Sequence, residues 1–174
     1  MLDFDSAPPI SETEFLDACA DWLPDNAMER IRELTLLPPE DIRKGDSAID
    51  RWNVWETRLR NALAARRSRR DGGGGDRAAE KYLRENLDFF SEIEDGVQEA
   101  FSKNSPLERE DVIDKLRWRA LEDLESGHDF DFDKLCVYKL KLLLLAKRAS
   151  RNTAKGEENL EAALTTTALV PVED

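Results

Sequence analysis

The sequence holds one histidine and two cysteines in 174 residues, and neither cysteine has a second candidate base near it in sequence. Imidazole and thiolate chemistry therefore has little to draw on, and no enzymatic activity or cofactor is expected. Cys19 and Cys136 lie far apart with no CxxC, which argues against a disulfide framework and predicts two reduced thiols at helical core positions. Long apolar runs are missing as well. The densest stretch, residues 142–146, sits between Lys139, Lys141, Lys147 and Arg148, whereas a membrane span needs about 20 apolar residues. The first residues, Met1-Leu2-Asp3-Phe4-Asp5, carry acids where a secretory signal has its basic region, so a cytoplasmic location is expected. Basic charge is short too: 26 Lys and Arg against 38 Asp and Glu give a net charge of -12, which disfavours nucleic acid as a partner because phosphate repulsion must be overcome. No stretch alternates apolar and polar residues with period two, so no sheet is expected.

What remains is a highly charged chain with a core. The apolar set makes up 40% and charged residues 37%, and a single domain of this length buries roughly 70% of its unfolded surface. Apolar spacing and capping residues predict an all-α, single-domain bundle of six to eight helices spanning residues 11–164, after an extended lead-in at 1–10 and before a loose tail at 165–174. Ser11-Glu12-Thr13-Glu14 reads as a capping box, with Phe15, Leu16, Cys19 and Leu23 on one face behind it. Asp25 is placed to cap a second helix carrying Met28, Ile31 and Leu34 inward, ending before Pro38-Pro39, and residues 38–46 read as loop. A long helix runs from Ser47 to about residue 70, with Trp52, Trp55, Leu59, Ala62 and Leu63 at three- and four-residue spacing. Asp71-Gly72-Gly73-Gly74-Gly75-Asp76 has the composition of a flexible tether. A short helix at 78–83 and another marked by Phe89, Ile93, Val97, Ala100 and Phe101 follow. Ser105-Pro106-Leu107-Glu108 joins an N-cap serine, a proline at the first position and a glutamate at the third. It opens a helix with Ile113, Leu116, Ala120, Leu121 and Leu124 on one side. Gly127 ends that helix, Asp131 caps the next at 132–150, whose near-continuous apolar surface places it centrally, and an amphipathic piece falls at 157–164.

Few residues qualify as a candidate site. His128, beside Gly127, is placed to bond free carbonyls of a helix end. Asp129, Asp131 and Asp133 alternate like calcium-loop ligands, but Lys134 stands where that loop needs glycine and Leu140 where it needs a bidentate glutamate. No metal is expected there, and Phe130 and Phe132 are expected to dock in the core. The four glycines lack the lysine and the strand of a phosphate-binding loop. Trp52 and Trp55 read as core, whereas Trp118 lies off the apolar stripe of its helix and reads as a contact surface. Positive charge is concentrated: Arg51, Arg58, Arg60, Arg66, Arg67, Arg69 and Arg70 against Glu56 give residues 51–70 a charge of +6, while residues 1–50 (4 basic, 13 acidic) and 71–174 (15 basic, 24 acidic) carry -9 each. Arg58, Arg66, Arg67, Arg69 and Arg70 are therefore the expected docking surface for an acidic partner, unless the flanking acidic segments neutralise them within the fold.

Particular residues resemble a known family. Pro8-Pro9-Ile10-Ser11 leads into Phe15-Leu16-Asp17-Ala18-Cys19. Arg51-Trp52 is followed by Leu59-Arg60-Asn61-Ala62-Leu63. Leu124-x-x-Gly127-His128-x-Phe130-x-Phe132 is followed by Tyr138-Lys139-Leu140-x-Leu142-Leu143 and Lys155-Gly156. Together they resemble a small bacterial family of helical proteins encoded among the subunits of V/A-type rotary ATPases. The resemblance spans about Pro8 to Leu164. It implies a non-catalytic accessory protein that stands in for the subunit coupling the central stalk to the membrane ring, peripheral to the membrane through its partner subunits. That coupling subunit is a longer chain, so a complete ring-capping funnel is not implied. The alternative reading from the residues alone is a stand-alone adaptor or regulator that binds a protein through the arginine helix.

Overall fold

The computed structural model describes residues 2–70 and 90–151, which form six helices and, among the described residues, no strand. They are α1 (Glu12–Ala20), α2 (Asp25–Glu33), α3 (Ala48–Arg70), α4 (Ser91–Ser102), α5 (Pro106–Glu125) and α6 (Phe132–Ala149). The all-α bundle expected from the pattern is therefore present. The expectations for the tether at 71–76, the short helix at 78–83, Phe89, the piece at 157–164 and the tail lie outside the described residues.

Helix starts follow the capping chemistry. Ser11 and Glu14 close the capping box of α1, and Ser105 and Glu108 close that of α5, with Pro106 in its first turn. Asp131 accepts from the Lys134 amide at 2.8 Å and starts α6. Ser47 accepts from the Asp50 amide at 3.2 Å, and Asp133 reaches across from α6 to the Ala48 amide at 3.2 Å, so α3 carries a second carboxylate at its N-terminus. Asp25 differs from its expected role: Pro24 is the N-cap of α2, with no side-chain bond, and Asp25 is the first helical residue, where its charge meets the helix dipole. Gly127, at φ +87°, takes the left-handed backbone that closes α5, a conformation costly for any residue with a Cβ.

Helix α6 is the centre, packing on α1, α2, α3 and α5, while α4 packs on α3 and α5. Leu140, Leu144 and Leu145 of α6 meet Trp52 of α3 and Leu121 and Leu124 of α5. Leu142 instead faces Phe15, Cys19, Met28 and Ile31 of α1 and α2. The third cluster joins Leu59 and Leu63 of α3 to Ile93, Val97 and Ala100 of α4 and Ile113 and Leu116 of α5. Gly96 lets α4 approach α5 closely: a Cβ there would come within 2.7 Å of Leu116 Cδ2, and that buried side chain would have to shift. The lead-in is docked rather than simply extended. Asp3 turns the chain by accepting from the Asp5 amide at 2.8 Å, and Leu2 and Phe4 pack on the main cluster.

Two lysines inside α6 are core residues, which the sequence pattern does not suggest. Lys139, with no exposed surface, donates through Nζ to the carbonyls of Ile31 (2.8 Å) and Arg32 (3.1 Å) and pairs with Glu12 at 2.9 Å. It supplies donors for the carbonyls left orphan at the end of α2. Lys141 pairs with Glu125, its Nζ lying 5.0 Å from the centre of the Trp118 ring. Burial alone would raise the Glu125 pKa, but hydrogen bonds from Lys141 and Lys134 hold it below the usual carboxylate value.

The deepest charges lie between α3, α5 and α6. Glu56 and Asp114 are fully buried. Arg117 grips Glu56 with Nε (2.9 Å) and Nη2 (2.8 Å) and Asp114 with Nη1 (2.9 Å), so its fork is fully used. Burial opposes the charge of Arg117, but the bonds to Glu56 and the nearby Asp114 raise its pKa above the ordinary guanidinium value. Lys147 donates to Asp114 at 2.9 Å, and Arg151 pairs with both Asp114 and Glu110.

Both cysteines are free and buried. Desolvation, aided by the charge of Asp133, pushes the Cys136 thiol up to about 12, and burial also raises Cys19. In the native chain near pH 8, neither thiol should react with a disulfide reagent, and both should react in denaturant; fast native labelling of Cys136 would contradict this packing. Arg117→Met should cost about 3–5 kcal/mol in urea unfolding, because it leaves Glu56 with only its outer partner Arg60. Arg60→Met, which removes a half-exposed partner, should cost less than about 1 kcal/mol. Equal losses would show that the buried fork has no special weight.

Candidate functional site

Helix α3 buries Trp52, Glu56, Leu59 and Leu63 and turns arginines toward its other side. Arg60 bonds Glu56 at 2.9 Å, the one carboxylate pair of an α3 arginine among the described residues. Arg51 and Arg67 are exposed and have no carboxylate partner among the described residues. The guanidinium carbon of Arg58 lies 4.4 Å from the centre of the Phe90 ring, and Arg58 Nε is buried without an acceptor. Arg66 lies 6.0 Å from the Phe101 ring, and Arg109 of α5 lies 5.9 Å from that same ring, its Nε bonded to the Lys103 carbonyl at 3.0 Å. Of the expected docking residues, the structure thus sets Arg58 and Arg66 on phenyl faces of α4 and leaves Arg67 exposed. Arg69 and Arg70 close α3, and their side chains lie outside the described residues.

Phe90 meets Arg58 and Phe101 meets Arg66, so α3 and α4 run in the same direction with their arginines and rings in register. At the Arg58 end a cleft of about 550 Å³ opens between Trp55, Arg58, Phe90 and Leu124. Arg51 lines it, but so do Asp46, Glu92 and Asp123. A cleft of mixed sign is unsuited to a small anion and suited to an amphipathic surface. Sequence reasoning missed Arg109, Phe90 and Phe101 as parts of this face. Phe90 caps the start of α4 and Phe101 lies in its last turn, and only the three-dimensional register brings them under arginines of other helices.

Trp118 corrects the expectation of a contact surface: it is buried. Its indole donates to Glu122 at 2.9 Å, and the Phe4 ring meets it edge-on at 5.5 Å. Arg148 fixes the lead-in over it, donating to the Phe4 carbonyl and lying 3.4 Å from the Phe4 ring centre. The docked lead-in occupies the face that the helix pattern of α5 left open.

The turn before α6 also differs from expectation in two details. His128 Nδ1 lies 2.6 Å from Asp131 Oδ2 rather than against a helix carbonyl. That hydrogen bond, with the Lys134 amide, holds the Asp131 carboxyl below its usual value. Phe130 is fully exposed, and Phe132 alone turns inward, with Arg30 at 4.9 Å from its ring. Asp131 and Asp133 cap different helices, and among the described residues no cluster of three metal-ligating side chains forms.

Phe4→Ala should uncover Trp118, shift tryptophan emission to longer wavelength and cost about 2 kcal/mol, below the about 3–5 kcal/mol of a wholly buried phenylalanine. Unchanged emission and melting temperature would mean that the lead-in does not cover this face in solution.

No curated protein and no solved structure matches the chain. A family model described as "Protein of unknown function (DUF2764)" matches residues 76–166, which include α4, α5 and α6 and therefore Phe90, Phe101 and Arg109. Helices α1 to α3 precede the matched residues. With just over half of its length matched, the chain belongs to this family.

Proposed function

We propose that this protein is a non-catalytic helical subunit that docks on other subunits of a V/A-type rotary ATPase, contributing contacts and geometry rather than bond chemistry. The observation that carries the docking role is the outer face of α3, where exposed arginines stay free of carboxylate partners among the described residues in a chain of net charge -12. Were these arginines there to stabilise the fold, the acidic flanks would be expected to pair with them. A basic face on an acidic body orients the molecule as it approaches a partner, which raises the association rate and suppresses wrong orientations. The assignment to a rotary ATPase rests on the resemblance carried by the lead-in, the start of α3 and the turn from α5 into α6. That turn is built from Gly127, Asp131 and Phe132, whose work here is structural, as suits an accessory protein.

The test is affinity purification of the tagged full-length chain from its own cells under mild detergent. Stalk subunits of the ATPase should come with it, and deletion of the coding region should lower coupled ATP-driven ion transport in membrane vesicles. Recovery of the chain without any ATPase subunit, together with unchanged transport, would remove this reading.

A further inference from the structure

We propose that Arg58, Arg66 and Arg109, with the rings of Phe90 and Phe101 against them, form a preset receptor for an acidic amphipathic helix of a partner protein. The proposal rests on the docking reading above and specifies its surface and the partner's chemistry.

Three observations converge on it. The first is order before binding. A free arginine side chain carries about 2 kcal/mol of rotamer entropy, and an arginine already laid against an aromatic face loses less of it on binding. Arg58, at 4.4 Å from Phe90, lies well inside the cation–π range of about 6 Å, and Arg66 and Arg109 lie at its edge. The aromatic faces hold the guanidinium groups without neutralising them. Arg109 bonds a carbonyl, which carries no charge, so its own full charge remains available.

Spacing is the second. Arg58 and Arg66 stand two turns apart on α3, about 12 Å along the axis at about 1.5 Å per residue. A helix lying alongside α3 repeats its side chains at the same rise, so glutamates two turns apart face both arginines at once. Carboxylates match the planar guanidinium fork bidentately.

The third is the apolar surface between the charges. Phe90 stays 43% exposed, and Trp55 and Leu124 line the adjoining cleft. Apolar residues on the same face as the glutamates have somewhere to go, while the cleft's Glu92 and Asp123 oppose a small anion settling there. Nucleic acid fits less well. It presents a charge about every 1.7 Å of axis, and a chain at -12 repels that density over the whole approach.

The test measures binding of a fluorescein-labelled synthetic amphipathic helix, with glutamates two turns apart and leucines on the same face, to the full-length chain by anisotropy. The expected result is saturable binding that weakens at least about tenfold in R58A/R66A/R109A, as three charge contacts of modest strength would give. The glutamine counterpart should bind about tenfold more weakly. Affinity should fall as salt rises from about 0.1 M to about 1 M and the Debye length drops from about 10 Å to about 3 Å. Arg32→Ala, at an exposed arginine of α2 outside this face, should leave binding within about twofold. Should the triple variant lose its native melting transition, Phe90→Leu serves instead: at this half-exposed site it removes the ring under Arg58, keeps the fold and should weaken binding. Equal binding of the glutamate and glutamine helices overturns the proposal. So does tighter binding of duplex DNA, displacement by inorganic phosphate, or native affinity in Phe90→Leu. Failure to purify with ATPase subunits would leave a positive result here standing, so the two readings fail separately.

Discussion

One buried carboxylate ties α3 to the charges at the centre of the bundle. Glu56 has no exposed surface, and Arg117 of α5 holds both of its oxygens at 2.8–2.9 Å. Moving such charges out of water costs several kcal/mol per ion, offset only where the geometry is good and the remaining bonds are made. Arg117 meets that condition by spending its third nitrogen on Asp114, which Lys147 and Arg151 satisfy in turn. The chain of charges ties α3 to α5 and α5 to α6. A rotation of α3 by one residue would take Glu56 out of the fork and turn Trp52, Leu59 and Leu63 out of the core, so the ion network and the apolar clusters select the same register. The hydrophobic clusters supply most of the stabilisation.

That register determines the outer face. With Glu56 fixed inward, Arg58 and Arg66 fall over Phe90 and Phe101, and Arg51 and Arg67 face solvent. The inner glutamate and the outer arginines are two sides of a single helix. A basic stripe on an acidic protein would tend to be quenched by any nearby carboxylate. Here the carboxylates nearest the core already have partners: Glu56, Asp114 and Glu125 are all bonded to cations from α5 and α6. Those inner carboxylates are satisfied within the bundle, and among the described residues Arg60 is the α3 arginine that reaches one of them.

The fold was legible wherever a local rule decided it. Ser11 with Glu14, Ser105 with Pro106 and Glu108, Gly127 and Asp131 set helix ends through bonds to residues at most four positions away, which spacing exposes. The near-continuous apolar surface of residues 132–150 likewise marked α6 as central. Legibility stopped where burial depends on a distant partner. Lys139 and Lys141 read as interruptions of an apolar stretch, yet Lys139 closes α2, 108 positions away at Ile31. Trp118 read as exposed because Phe4, which covers it, lies far away in a segment with no periodicity of its own. Glu56 read as one acid among arginines, since nothing near it in sequence reveals Arg117. For the site, the arginines themselves were visible as a charge anomaly, while the rings that order them were not.

The choice of arginine over lysine in α3 brings these threads together. Residues 51–70 contain seven arginines and no lysine, although the chain uses lysine freely elsewhere. Inside the bundle, Lys139 and Lys141 work as compact ammonium groups that satisfy carbonyls and a carboxylate. An ammonium does that well, having three donors and no preferred plane. On α3 an arginine can meet a phenyl ring, as Arg58 and Arg66 do at 4.4 and 6.0 Å from the ring centres, and still offer donors at its edge. Guanidinium does both, since its faces stack while its edges donate. A solvated helix end would be served by either residue. Arginine also serves inside the bundle, where Arg117 forks over Glu56 and Asp114, so the chain uses it where a planar, multi-donor contact is made and uses lysine where one compact donor group suffices.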